Sequence, residues 1–363
     1  MSNKYCIITA GGAGTRFWPF SRKTKPKQFL TINENGKSLL QLTYDRIKNI
    51  IPVENIIIVT AARYHDLVKE QIPQINEENL LLEPYSRNTA PCLTYANYNL
   101  LKRDPQAQVI VSPSDQVVRN DEMFQAAVHK AFNFLSDHDV LMTLGIPPSR
   151  PDTNYGYIQS TAGKDSCLNG DPAKVKTFTE KPDKTLAEVF MKTGEFFWNS
   201  GIFVWKASTF IKEVEKYLPE VTQLFCGWEN VLGTKLEPEF IQRAFTDCIN
   251  VPVDFAVMSK TDKAWVFPVK FEWNDIGNWC SIYAHESDKD QFNNLINTND
   301  KLVDKSHDNM VISHKKDKLI AIKGLDNYMV LDTEDALVIC PKDEKEFKEF
   351  ISNIAMPKFE KYR

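Results

Sequence analysis

Up to about residue 145 the chain alternates short apolar, β-branched runs with longer amphipathic stretches, and few folds accept that order. The apolar runs fall at residues 5–9, 55–60, 80–82, 109–112 and 140–144, and the helix-like stretches at 39–49, 64–71, 90–102 and 122–135. Continuous apolar strands separated by helices specify a parallel sheet covered on both faces. Such sheets bind ligands beyond the carboxyl ends of their strands, so chemistry is expected there. Further on, strands at 156–160, 175–179 and 202–205 and a helix at 184–193 suggest a sheet extended by a substrate-binding half.

The Asn- and Asp-rich stretch 287–300 reads as a linker. Short strands follow at 310–313, 319–322, 328–332 and 336–340, then an amphipathic helix near 344–354. The expected architecture is α/β: a Rossmann-like, mixed but mainly parallel sheet with helices on both faces over residues 1–286. A small β-rich C-terminal domain, 301–363, ends in a helix. No internal repeat is evident.

Lys and Arg number 44 against 48 Asp and Glu, a formal charge of -4, which gives no general reason to expect nucleic acid as a partner. An anionic substrate must therefore be held by a local group of cations. The seven cysteines are scattered without a Cys-x-x-Cys pair, so neither a disulfide framework nor a zinc site is indicated. No window approaches the roughly 18 apolar residues that span a bilayer, and the N-terminus leads straight into a strand. These features predict a soluble, cytoplasmic protein with no membrane partner, and they leave a homodimer open.

The most informative segment follows the first strand: Ala10-Gly11-Gly12-Ala13-Gly14-Thr15-Arg16-Phe17-Trp18-Pro19. Its glycines let several backbone N–H groups converge on one anion, and Arg16 and Lys27 add positive charge. The loop lacks the Gly-Lys-Ser/Thr of a P-loop. It also lacks the third glycine of the dinucleotide fingerprint, where Phe17 stands.

This loop, continued by Phe20-Ser21-Arg22 and Pro26-Lys27-Gln28-Phe29-Leu30, resembles the signature of mannose-1-phosphate guanylyltransferases, which are sugar-nucleotide pyrophosphorylases. Further blocks match in order: Glu83-Pro84 with Arg87-Asn88-Thr89-Ala90-Pro91, Pro113-Ser114-Asp115, Tyr155-Gly156-Tyr157-Ile158, Glu180-Lys181-Pro182, Trp198-Asn199-Ser200-Gly201-Ile202-Phe203, and Trp273-Asn274-Asp275-Ile276-Gly277. The resemblance spans at least residues 5–283. It implies a GT-A-like nucleotidyltransferase fold with a left-handed β-helix-like tail, and it implies GTP and mannose 1-phosphate as substrates.

By the same resemblance, Ala10, Gly11, Gly12, Gly14, Thr15, Glu83, Asn88, Thr89 and Ser114 meet the nucleotide, while Arg16 and Lys27 are catalytic. Gly156, Glu180, Lys181 and Asn199 line the sugar-phosphate pocket, and Asn199 has both donors and an acceptor for hydroxyls. Tyr157, Trp198 and Phe203 are read as structural. Asp115 and Asp275 are placed around Mg²⁺, which accepts one or two carboxylates beside phosphate oxygens and water. The chain departs from the family at Gln116, where His is common, and tuning rather than loss of activity is expected. Two alternatives stay open: a pyrophosphorylase for another base or hexose 1-phosphate, and a non-catalytic regulatory homologue. Retention of Arg16, Lys27, Asp115, Lys181 and Asp275 favours an enzyme.

Overall fold

The computed structural model describes residues 3–12, 14–31, 36–163 and 170–363. By contacts the chain separates into two compact units, one built from the residues up to Gly11 with Leu39–Asp275, the other from Gly12–Ser38 with Ile276–Arg363. This division differs from the expected 1–286, 287–300 and 301–363. The second unit begins at Ile276 and takes in the stretch after Gly11, and a short strand lies inside the expected linker.

Strands β1 (Lys4–Thr9), β2 (Ile56–Ala61), β3 (Leu80–Glu83) and β4 (Gln108–Pro113) open the first unit. Then come β5 (Val117–Arg119), β6 (Leu141–Ile146), β7 (Tyr157–Ser160), β8 (Ala173–Thr179), β9 (Phe196–Lys206), β10 (Ala264–Pro268) and β11 (Glu272–Asn274). Nine of them form one sheet in the order β3-β2-β1-β4-β9-β6-β10-β8-β7. The β3-β2-β1-β4 portion is parallel throughout, and β6 and β10 are also parallel. The pairings of β9 with β4, β6 and β7 and of β8 with β7 and β10 are antiparallel. Every residue of β2 is buried, as a strand covered on both faces requires.

Helices are fixed at their ends by side-chain caps. Asn120 accepts the Met123 N–H ahead of a first turn carrying Asp121 and Glu122, and the Thr89–Arg103 helix ends on Lys102 and Arg103. The main core is rich in aromatic rings. Trp205 stacks on Phe210 at 4.3 Å and donates its indole N–H to Asn97. Tyr157, Trp198 and Phe203 are buried, in keeping with their structural reading.

In the second unit β12 (Leu295–Ile296), β14 (Met310–Ser313) and β16 (Tyr328–Asp332) stack in parallel, as do β13 (Lys301–Asp304) and β15 (Ile320–Lys323), while β17 (Leu337–Pro341) closes antiparallel on β16. The pairings Met310↔Met329, Lys301↔Ile320 and His307↔Asp326 share one offset of 19 residues, so the chain winds in β-helical coils. This repeat corrects the expectation of none. The coils hold Phe17 and Leu30 in a core with Trp279, Met310, Met329 and Phe347. Trp18 donates to the carbonyl of Tyr362, and its own carbonyl accepts from Trp279.

Candidate active site

In the first unit the sheet brings β1 and β4 side by side, and both end at the same edge. Ser114 donates its backbone N–H and its hydroxyl to the Thr9 carbonyl, and Ala10 donates to Val59. The Ser114 hydroxyl, expected at the nucleotide, is thus engaged with backbone, and the residue is buried. Gly11 follows. A Cβ there would stand 2.9 Å from Glu83 Oε2, so only glycine lets the loop pass this carboxylate. Glu83 is itself buried, and its Oε1 has no hydrogen-bond partner. Burial pushes its pKa up to about 7, against a smaller opposing effect of the Cys92 thiol.

The remainder of the glycine loop belongs to the second unit. Gly14 sits at φ +59°, and a Cβ there would collide with the Lys27 backbone nitrogen. Gln28 Nε2 donates to the Gly12 carbonyl at 3.0 Å, closing the loop on itself. Lys27 is buried with its ammonium 5.5 Å from the Phe17 ring centre, whereas Arg16 is exposed. Ala13 and the Thr15 side chain lie outside the described residues.

Asn88 takes φ +68° and caps the Thr89–Arg103 helix, its side-chain oxygen accepting from Thr89 N–H. The Thr89 hydroxyl accepts from Val253 N–H at 2.9 Å. Arg87 donates to the carbonyls of Phe245 and Thr246, tying this segment to the end of the Glu237–Asp247 helix.

β5 and β11 pair antiparallel with Asn274 opposite Val117, so Asp115 precedes and Asp275 follows the ribbon at the same end. Asn274 carries a buried side-chain oxygen without a partner. Oxygen donors alone at this end suit a hard cation such as Mg²⁺. No cluster of three or more His, Cys, Asp or Glu side chains able to hold a metal occurs among the described residues, so phosphate oxygens or water would have to complete the shell.

Gln116 has a role that sequence reasoning missed. Its amide donates to the Ser200 carbonyl at 2.6 Å and accepts from the Trp273 indole at 2.9 Å, clamping β9 to β11. A neutral imidazole also has one donor and one acceptor, so a histidine at this position could make the same two kinds of bond.

Among the residues expected at the sugar phosphate, Gly156 faces Glu180 so closely that a Cβ would lie 2.8 Å from Oε2, and its carbonyl accepts from Asn199 N–H. Lys181 is a non-glycine residue at φ +44°, a strained setting that clusters at functional sites. It forms an exposed 2.9 Å ion pair with Glu180. Asn199 differs from expectation: its side-chain oxygen accepts from both Thr143 Oγ1 and Gly201 N–H, which leaves only donor capacity. The amide nitrogen already donates to Asp254 at 2.5 Å. Asp254 is the acid that the sequence reading passed over. Its one linear signal is to stand alone in the apolar run 251–258.

A glycine-rich loop directly after the first strand of the nine-stranded sheet accords with the comparisons. The chain belongs to the nucleotidyl transferase family, which it matches over residues 5–291. It is 32% identical to mannose-1-phosphate guanylyltransferase of Klebsiella pneumoniae over an alignment of 365 residues, covering 98% of this chain and 76% of that protein. Alginate biosynthesis protein AlgA of Pseudomonas aeruginosa is 34% identical over 341 residues, 93% of this chain and 69% of the relative. The crystal structure of mannose-1-phosphate geranyltransferase from Thermus thermophilus is similar with a TM-score of 0.84 at 25% identity, covering 98% of this chain and all of that one. No helix of the described residues is long and apolar enough to cross a membrane.

Proposed function

We propose that this nucleotidyltransferase transfers GMP from GTP to α-D-mannose 1-phosphate, giving GDP-mannose and pyrophosphate. A phosphate oxygen of the sugar attacks the α-phosphorus in line, and the bond from that phosphorus to the bridging oxygen of pyrophosphate breaks. The nucleophile is already an anion, so no base is needed. Two anions must instead be brought together, and like unit charges at 4 Å repel by about 4 kcal/mol near a protein surface. Positioning and neutralisation therefore carry the reaction.

In this reading Arg16 and Lys27 neutralise the triphosphate and Lys181 holds the incoming phosphate. Backbone N–H groups of Gly11, Gly12 and Gly14 meet phosphate oxygens, and Asn88 and Thr89 lie on the nucleotide side. Asp115 and Asp275 would hold Mg²⁺, which supplies further neutralisation of phosphate charge when bound. Gly156, Glu180 and Asn199 bind the hexose. The observation that supports the reading is the β5–β11 pairing, whose shared end is flanked in sequence by Asp115 and Asp275. The relatives named above support the choice of mannose. Pyrophosphate release from GTP, measured with and without mannose 1-phosphate and Mg²⁺, is the test. Release with UTP and glucose 1-phosphate but not with this pair would replace the substrates, and none with any of them would favour a regulatory protein.

A further inference from the structure

Asn199 Nδ2 lies 2.5 Å from Asp254 Oδ1, while both acceptor positions of the Asn199 oxygen are filled by Thr143 and Gly201. The amide cannot flip without losing three hydrogen bonds. One Nδ2 hydrogen remains, and the Asp254 carboxylate, which also accepts its own backbone N–H, keeps acceptor capacity beyond the Asn199 bond. A donor and an acceptor held side by side are what one hydroxyl group needs, because a hydroxyl both accepts and donates.

We propose that Asp254 is a specificity-determining residue of the hexose subsite, fixing the Asn199 amide through one oxygen and accepting a ring hydroxyl with the other. This rests on the reading of Gly156, Glu180, Lys181 and Asn199 as the sugar 1-phosphate pocket. Three observations support it independently of Asn199. Asp254 opens a five-residue π-helical turn, Asp254–Met258, a local irregularity frequent at functional sites. Glu180 and Lys181, though remote in sequence, both act on its charge, in opposite senses. The residue before it is fastened to Thr89, and Val251 bonds to both Arg87 and Ala90, so the turn has a rigid mount.

The test measures kcat/KM for mannose 1-phosphate and its 2-, 3-, 4- and 6-deoxy analogues in the full chain and in Asp254→Asn, with KM for GTP and the melting temperature alongside. In the parent, one analogue is expected to fall by about 10–10²-fold, the worth of a hydrogen bond to a charged group. Asp254→Asn should lose a similar factor for mannose 1-phosphate and nothing further for that one analogue, with KM for GTP unchanged. An equal loss across all the sugars, or no loss, overturns the proposal while leaving the transferase reading intact. A parent inactive on every hexose 1-phosphate sinks both together. Should Asp254→Asn fail to fold, the exchange Asn199→Asp with Asp254→Asn keeps the internal hydrogen bond but inverts what faces the sugar. Parent-like discrimination in that protein would likewise refute the assignment.

Discussion

Gly11 and Glu83 stand in such close apposition that one added methyl would come within 2.9 Å of the carboxylate. The Glu83 side chain is enclosed and one of its oxygens is unpartnered, so it has nowhere to retreat. Gly11→Ala should therefore destabilise the chain by about 1–3 kcal/mol, as overpacking does. A melting curve superimposable on the parent's would show that the loop can yield.

The same carboxyl group makes stability depend on pH. Its folded pKa is raised by burial to about 7, so between the ordinary value of 4.5 and that point the folded state holds the proton more tightly than the unfolded one. The resulting stability is complete below pH 4.5 and is lost as pH rises through 7. Glu83→Gln should remove this slope, gaining on the parent by up to about 3 kcal/mol from pH 5 to pH 8. Parallel denaturation profiles for the two proteins over that interval would contradict the assignment.

Arg16 is exposed, and it carries positive charge at the end of the glycine loop. Arg16→Ala is expected to lower turnover by roughly 10²–10³ without changing the melting temperature, as loss of one positioned donor does. A near-normal kcat would take Arg16 out of the reaction.

Asp275→Asn should shift the Mg²⁺ titration of activity upward by about tenfold or more. An unaltered titration would point to other ligands.

Gln116 bridges two buried groups, the Ser200 carbonyl and the Trp273 indole. Gln116→Ala strands both and should cost about 2–4 kcal/mol, whereas Gln116→His keeps a donor and an acceptor and should lose less. Equal stability of the alanine and histidine variants would argue against the clamp.

Strands β1 to β4 were legible because each is a continuous apolar run and parallel burial leaves little room for polar residues. Only residues 202–205 of β9 could be read, since Asn199, Ser200 and the positive φ of Gly201 interrupt its pattern. Strands β5 and β11 have three residues apiece and no pattern of their own, so their pairing next to Asp115 and Asp275 could not be read. The donor-only state of Asn199 depends in part on Thr143, 56 positions away, and its amide is oriented by Asp254, 55 positions away, so no local reading reaches it. The 19-residue winding escapes a linear reading because its echo is short: Met310-Val311-Ile312 returns as Met329-Val330-Leu331, with little matching around it. Where the chain divides was equally hidden: Phe17 and Leu30 read as part of a glycine-rich connection, not as core for Trp279 and Met310.

That last packing arrangement sets an order of events during synthesis. Phe17 and Leu30 emerge early from the ribosome, but Trp279, Met329 and Phe347 come some 250 or more residues later. At translation speeds of about 5–20 residues per second, the nascent loop waits on the order of ten seconds or longer for its partners. A chain that stalls or is cut before the coils are made would keep those two side chains bare to chaperones and proteases, with Lys27 between them.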